Sequence, residues 1–233
     1  MALDRAKANQ LCQHLRSVHG KLFDELSKEA ERLANYLKTK NFNIIAADES
    51  HKHVGAIIVD FVLQVGKNWR RQVRPAVERI KHFSEASRMS GFQNLLSNKG
   101  LKVLIGWEGV KTENDLFRVA SFFTDRGIDN FDQLYDWLEP EAHRDELMKM
   151  KRLADGGVFG VSDKTADYLR KLVRHWDAVA VDTHMKQLLR EAGITSRYSY
   201  KEKRAIVQLA AILYLNCRPV DLDHSIYHNH KEY

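Results

Sequence analysis

The chain has 233 residues, 44% of them hydrophobic, and a net charge of +6. That length suits one large domain or two small ones with enough chain to bury a core. No apolar run approaches the roughly 18 residues of a membrane span. The polar opening MALDRAKANQ lacks a secretory core, so an intracellular protein of the cytoplasm or nucleoid is expected. Cys12 and Cys217 stand far apart and outside any CxxC. That argues against a disulfide framework, a four-cysteine zinc site and an iron–sulfur cluster. The basic balance is compatible with nucleic acid.

Few prolines and little β-branched alternation predict an all-α chain. Residues 4–38 carry Leu11, Leu15, Val18, Leu22, Leu26, Leu33 and Leu37 at steps of three and four, with Gly20 placed to split the run into two helices. Residues 39–53 lose the pattern and read as a connector. Val54, Ile57, Ile58, Phe61, Val62 and Val65 then form a helical stripe. The basic stretch GKNWRRQVRPAVERIKHF reads as a loop and a helix entered near Pro75. LKVLIGW, residues 101–107, fits either a buried helical turn or a short strand. Residues 112–126 and 130–138 read as two helices. Pro140 starts another, with Leu147, Met150, Leu153 and Ala154 on one face.

A glycine hairpin at 156–163 follows and opens a helix with Ala166, Leu169, Leu172, Val173 and Trp176 inward. Asp182 precedes a helix carrying Met185, Leu188, Leu189 and Ala192, which Gly193 stops. Residues 201–216 are apolar nearly all round and are predicted to be buried. Pro219 opens a last short helix.

The stretch GGVFGVSDKTAD, residues 156–167, poses a chemical question. A tight turn between helices explains the glycines, and Ser162 and Asp163 suit a helix start. Such a turn presents backbone N–H groups that suit a phosphate; an ordinary αα-hairpin would use the same glycines only to turn. Lys164 then falls in the first helical turn, where the dipole disfavours a cation.

VFGVSDKTAD resembles the hairpin of the helix-hairpin-helix DNA glycosylases, with Gly160, Val161, Lys164, Thr165, Ala166 and Asp167 matching that pattern. AVAVDTHMKQLLREAGI resembles the family's second signature through Val181, Asp182, Thr183 and His184. Asp182 follows Lys164 by 18 positions, the spacing of the endonuclease III-like branch. The defensible similarity covers residues 145–193. Phe159 stands where proline is usual. Ser162 replaces the second hairpin glycine, which costs something if that position needs positive φ and suits it well if it caps the helix. Without cluster cysteines, the chain resembles the 8-oxoguanine glycosylases more than the iron–sulfur members.

The resemblance implies an all-α, two-lobed fold with the active site in the cleft between lobes. One lobe would be residues 54–176, including the hairpin 156–163; the other, 1–53 with 177–233. It implies a monomeric base excision repair enzyme acting on double-stranded DNA with a damaged base, oxidised rather than otherwise, with 8-oxoguanine favoured. Lys164 would be the nucleophile. Ordinary lysine, with pKa about 10.4, is neutral in only about 1 molecule in 2,500 at pH 7, so a turn that disfavours its charge has a use. Asp182 would take its proton and stabilise positive charge on the sugar as the base leaves. A Schiff base and β-elimination would then nick the strand.

The amides of Gly160, Ser162 and Lys164 would contact phosphate. The carbonyls of Gly156, Val158 and Val161 could hold a structural Na+ or K+; no other cofactor is expected. Gln64 or Asn68 would fill the gap left by a flipped base, although Gln64 also suits a plain helix C-cap. Arg70, Arg71 and Arg74 suit phosphates or a solvated face equally. Asp182 taken alone is a helix N-cap, and His184 suits a supporting role. His224, His228 and His230 lack a metal-site spacing. The competing readings are a monofunctional glycosylase for alkylated or deaminated bases and a non-catalytic DNA-binding module.

Overall fold

The structure is a computed structural model and describes residues 3–47, 52–64, 67–150 and 160–229. It is all-helical, with no strand among the described residues. In chain order the helices are α1 (Arg5–His19), α2 (Phe23–Thr39), α3 (Val54–Leu63), α4 (Arg74–Ile80), α5 (Met89–Lys99), α6 (Leu101–Ile105) and α7 (Val110–Thr124). There follow α8 (Phe131–Trp137), α9 (Glu141–Met148), α10 (Asp163–Leu172), α11 (Thr183–Glu191), α12 (Tyr200–Leu209) and α13 (Pro219–Asn229). A π-helix, Trp69–Val73, leads into α4, and a second, Ala210–Leu215, continues α12. No single helix among the described residues is long and apolar enough to cross a membrane.

The chain divides into two compact units, Met1–Glu49 with Arg174–Tyr233, and Ser50–Val173. In the first, Gly20 breaks the leucine stripe with φ +49, and α2 turns its Leu26, Ala30, Leu33 and Leu37 inward against α12 and its π-helical continuation. A polar network fastens α2 at one edge. The Tyr198 hydroxyl donates to Glu25 at 2.6 Å and to Glu29 at 3.3 Å, and Arg32 pairs with Glu29 at 2.8 Å. The connector after α2 is held by α13: Ile45 N–H donates to Ser225 Oγ at 2.8 Å and Ala47 N–H to Asp221 Oδ1 at 3.0 Å.

In the second unit α3 is the central element. All ten of its residues are buried, rather than one stripe, and α4, α7 and α10 pack around it. Gly55 permits one close approach, since a Cβ there would lie 2.8 Å from the Ala86 carbonyl oxygen. His53 caps α3, its Nδ1 accepting from Ala56 N–H at 3.1 Å while Nε2 lies 3.2 Å from the Phe83 carbonyl. Burial lowers the His53 pKa, which favours the neutral ring this bonding requires.

LKVLIGW resolves as helix α6, ended by Gly106 in the left-handed region at φ +71. Helix α9 ends at Met148, and α10 ends at Leu172. Trp176, expected on the inward face of α10, therefore packs on the core of the other unit. Leu153 and Ala154 lie outside the described residues. Leu33→Ala, at a fully buried position of α2, is expected to lower stability by about 3 kcal/mol, as measured by chemical denaturation; a loss near zero would contradict the packing of α2 described here.

Candidate functional site

The first turn of α10 is built by two devices. Ser162 is the N-cap, with φ −108 and ψ 172. Its Oγ accepts from Thr165 N–H at 3.4 Å and lies 2.9 Å from Thr165 Oγ1. The position needs no positive φ, so serine is suited to it as a cap. Asp163 and Lys164 then occupy the first turn, with Lys164 exposed. The backbone N–H groups of Gly160, Ser162 and Lys164 have no acceptor among the described residues. Val161 N–H donates to the Met150 carbonyl at 3.3 Å. Gly156 and Val158, the other expected carbonyl ligands, lie outside the described residues, as does Phe159. No cluster of three or more His, Cys, Asp or Glu among the described residues could hold a metal ion.

The second device was not legible in the sequence. Arg144 of α9 has a side chain with 0% exposure. Its Nε donates to Asp167 Oδ1 at 2.9 Å and its Nη2 to Asp167 Oδ2 at 3.2 Å. Nη2 also donates to Asp163 Oδ1 at 2.7 Å. One guanidinium thus grips α10 on either side of Lys164. Burial alone would lower the Arg144 pKa; the Asp167 and Asp163 carboxylates outweigh it and raise it further. The charge is therefore held inside the protein, paired and hydrogen-bonded.

Asp60, in the middle of α3, is a second buried charge. Tyr168 of α10 donates its hydroxyl to Oδ1 at 2.9 Å, and Trp69 of the π-helix donates Nε1–H to Oδ2 at 3.3 Å. Burial pushes the Asp60 carboxyl up to about 6, against the opposing pull of the Tyr168 and Trp69 hydrogen bonds and the Lys171 and Lys81 charges.

Gln64 is the C-cap of α3, its N–H donating to the Asp60 carbonyl at 3.0 Å. Asn68 caps the π-helix, accepting from Arg71 N–H at 3.0 Å while its own N–H donates to Gln72 Oε1 at 3.0 Å. Gln64 thus ends α3 through its backbone, and the Asn68 side chain is engaged in capping the π-helix. Arg70, Arg71 and Arg74 are exposed. Lys67 lies over the Trp107 ring at 5.7 Å. Trp137 stacks on His143 with centroids 4.7 Å apart, and packs on the core.

In the other unit Asp182 is the N-cap of α11. Its Oδ1 accepts from Met185 N–H at 2.9 Å, and Oδ2 has no hydrogen bond among the described residues. The carboxylate is half-buried. His184 sets its ring edge-on to Tyr227 at 6.0 Å, Tyr227 lies edge-on to His228 at 5.9 Å, and His228 lies 4.3 Å from His224. His184 is thus packed on α13, in a supporting place. His230 lies outside the described residues.

No family model, curated protein or solved structure matches the chain. The chemistry must be argued from the residues themselves.

Two measurements check this geometry. Arg144→Met removes the guanidinium that the buried Asp167 shares with Asp163 and is expected to cost about 3–5 kcal/mol in denaturation; a neutral substitution would contradict the clamp. Asp60 is raised by about two units above the 3.8 of an ordinary aspartate, so its proton binds more tightly in the folded chain. Its contribution is greatest below about pH 4 and is lost as pH rises through about 6. Asp60→Asn should therefore gain on the wild type by up to about 3 kcal/mol between about pH 4 and pH 7. A pH-independent difference would contradict the burial of the charge.

Proposed function

We propose that the chain is a DNA glycosylase with lyase activity, of the two-lobed helix-hairpin-helix kind, acting as a monomer on a damaged base in duplex DNA. The observation that carries the reading is the first turn of α10. There an exposed lysine stands among N–H donors that have no acceptor among the described residues, beside a serine cap, on a helix gripped by a buried guanidinium. Open donors at a helix N-terminus favour a phosphate, and a DNA backbone would occupy them while one nucleotide is flipped out.

Lys164, once neutral, attacks the sugar C1′. The C1′–N bond breaks and its electron pair leaves with the base, which is then protonated. By the sequence resemblance, Asp182, whose Oδ2 has no hydrogen bond among the described residues, is the carboxylate assigned to take the lysine proton and offset the charge on the sugar. Ring opening gives an imine between Nζ and C1′. Loss of a C2′ proton then expels the 3′ phosphate and nicks the strand. An oxidised purine such as 8-oxoguanine is the leading substrate; this choice rests on the sequence resemblance. The exposed Arg70, Arg71 and Arg74 supply further charge for the phosphate backbone.

Borohydride trapping on duplexes carrying 8-oxoguanine, thymine glycol, uracil or an abasic site tests the reading. A covalent adduct is expected with the wild type and none with Lys164→Ala. Undiminished nicking by Lys164→Ala would overturn it. Asn caps helices as well as Asp, so Asp182→Asn should fold normally while base release falls on the order of a hundredfold, the scale of losing one preorganised electrostatic group; wild-type release would leave Asp182 only a cap. Arg71→Ala should lower the slope of log affinity against log salt by about one, read by fluorescence anisotropy; an unchanged slope would remove Arg71 from the phosphate contacts.

A further inference from the structure

Helix α3, VGAIIVDFVL, is buried at every position, and Asp60 is its one charged residue. An ionised carboxylate is costly to hold there. What the carboxylate provides is a branched acceptor. One oxygen takes the hydroxyl of Tyr168, one turn beyond Lys164 on α10. The other takes the indole N–H of Trp69, which opens the π-helix bearing the exposed Arg70 and Arg71. A π-helix is a rare, poorly bonded element that recurs at functional sites. An i, i+4 pair such as Lys164 and Tyr168 lies on one helix face.

We propose that Asp60 is a positioning residue: by tethering Tyr168 and Trp69 at once, it holds the lysine-bearing face of α10 in register with the basic π-helix. The role assigned to Lys164 and the arginines rests on the function proposed above; the double tether itself does not. A phosphate seated on the arginines and a sugar presented to Lys164 then sit at a fixed separation, the kind of orientation whose loss by about 1 Å costs roughly a hundredfold in rate. The charged groups around Asp60 are accounted for. Lys171 on α10 and Lys81 after α4 favour its ionised form. On α7, Asp115 and Arg118 pair with each other at 3.2 Å. The His53 pKa is lowered by burial, and Glu85 of the 84–87 turn is exposed.

Three variants of the full chain test this: Asp60→Leu removes both acceptors, Tyr168→Phe removes one donor, and Asp60→Asn keeps a polar fork without a charge. Two readouts are taken, the rate of borohydride trapping against pH and the hydrogen-exchange protection of residues 69–73 and 163–172. Asp60→Leu should trap roughly ten- to a hundredfold more slowly and lose protection in both segments by more than the rest of the unit loses, because the Tyr168 hydroxyl and the Trp69 N–H no longer have this acceptor. Tyr168→Phe should lose protection mainly in 163–172. The wild type should show an acid limb near pH 6, and Asp60→Asn should keep most of the rate but lack that limb. Wild-type protection of both segments in Asp60→Leu would overturn the proposal, whatever the trapping shows. If the wild type traps on no duplex, the function proposed above falls, and the exchange data still decide whether Asp60 is the tether.

Discussion

The candidate chemistry depends on one buried ion pair. Arg144 carries its full charge into the core of its unit, where Asp167 meets it in a two-point contact and Asp163 adds a third bond. Asp163 and Asp167 flank Lys164, so the pair fixes the first two turns of α10 against α9 rather than merely adding stability. Buried ion pairs are seldom the most stable choice for a core. Here the pair gives a helix start a defined position, and that position is where the lysine stands. The Ser162 cap supplies the complementary constraint, setting where the helix begins.

The same logic recurs in both units. Asp60 spends burial on two directional bonds. In the other unit Asp182 uses one oxygen for a helix cap, and the other has no hydrogen bond among the described residues, while His184 is braced by Tyr227. In each case a polar side chain fixes the start or the face of a helix, and the groups that would meet DNA sit on those helices. A helix terminus held by bonds made before any ligand arrives loses little entropy on binding, which is the physical basis of preorganised electrostatics.

Much of this was legible in the sequence for definite reasons. Ser162, Asp182 and Gly193 sit where cap chemistry predicts, and most of the leucine steps of residues 4–38 fall on the buried faces of α1 and α2; Val18, expected on that stripe, is instead exposed near the end of α1. Helix α5 was not legible, since Gly91 and its serines obscure a face made of Met89, Phe92, Leu95 and Leu96. Arg144 could not be recognised, because EAHRDELM reads as a solvated helix; burial of an arginine depends on carboxylates some twenty residues further along the chain. Asp60 did carry a signal, as the lone charge in an apolar run, but its partners Tyr168 and Trp69 are set by tertiary packing. The Asn68 side chain caps the π-helix, a local competition for backbone N–H groups that asparagine often wins.

The central claim is that Lys164 is the residue that bonds to the sugar. The most direct measurement is to reduce the trapped complex with borohydride, digest both protein and DNA, and locate the sugar remnant by peptide mass spectrometry. The account predicts the remnant on the peptide containing Lys164, and on that residue within it. A remnant on any other lysine or on the terminal amine would contradict it, and would move the chemistry away from the first turn of α10.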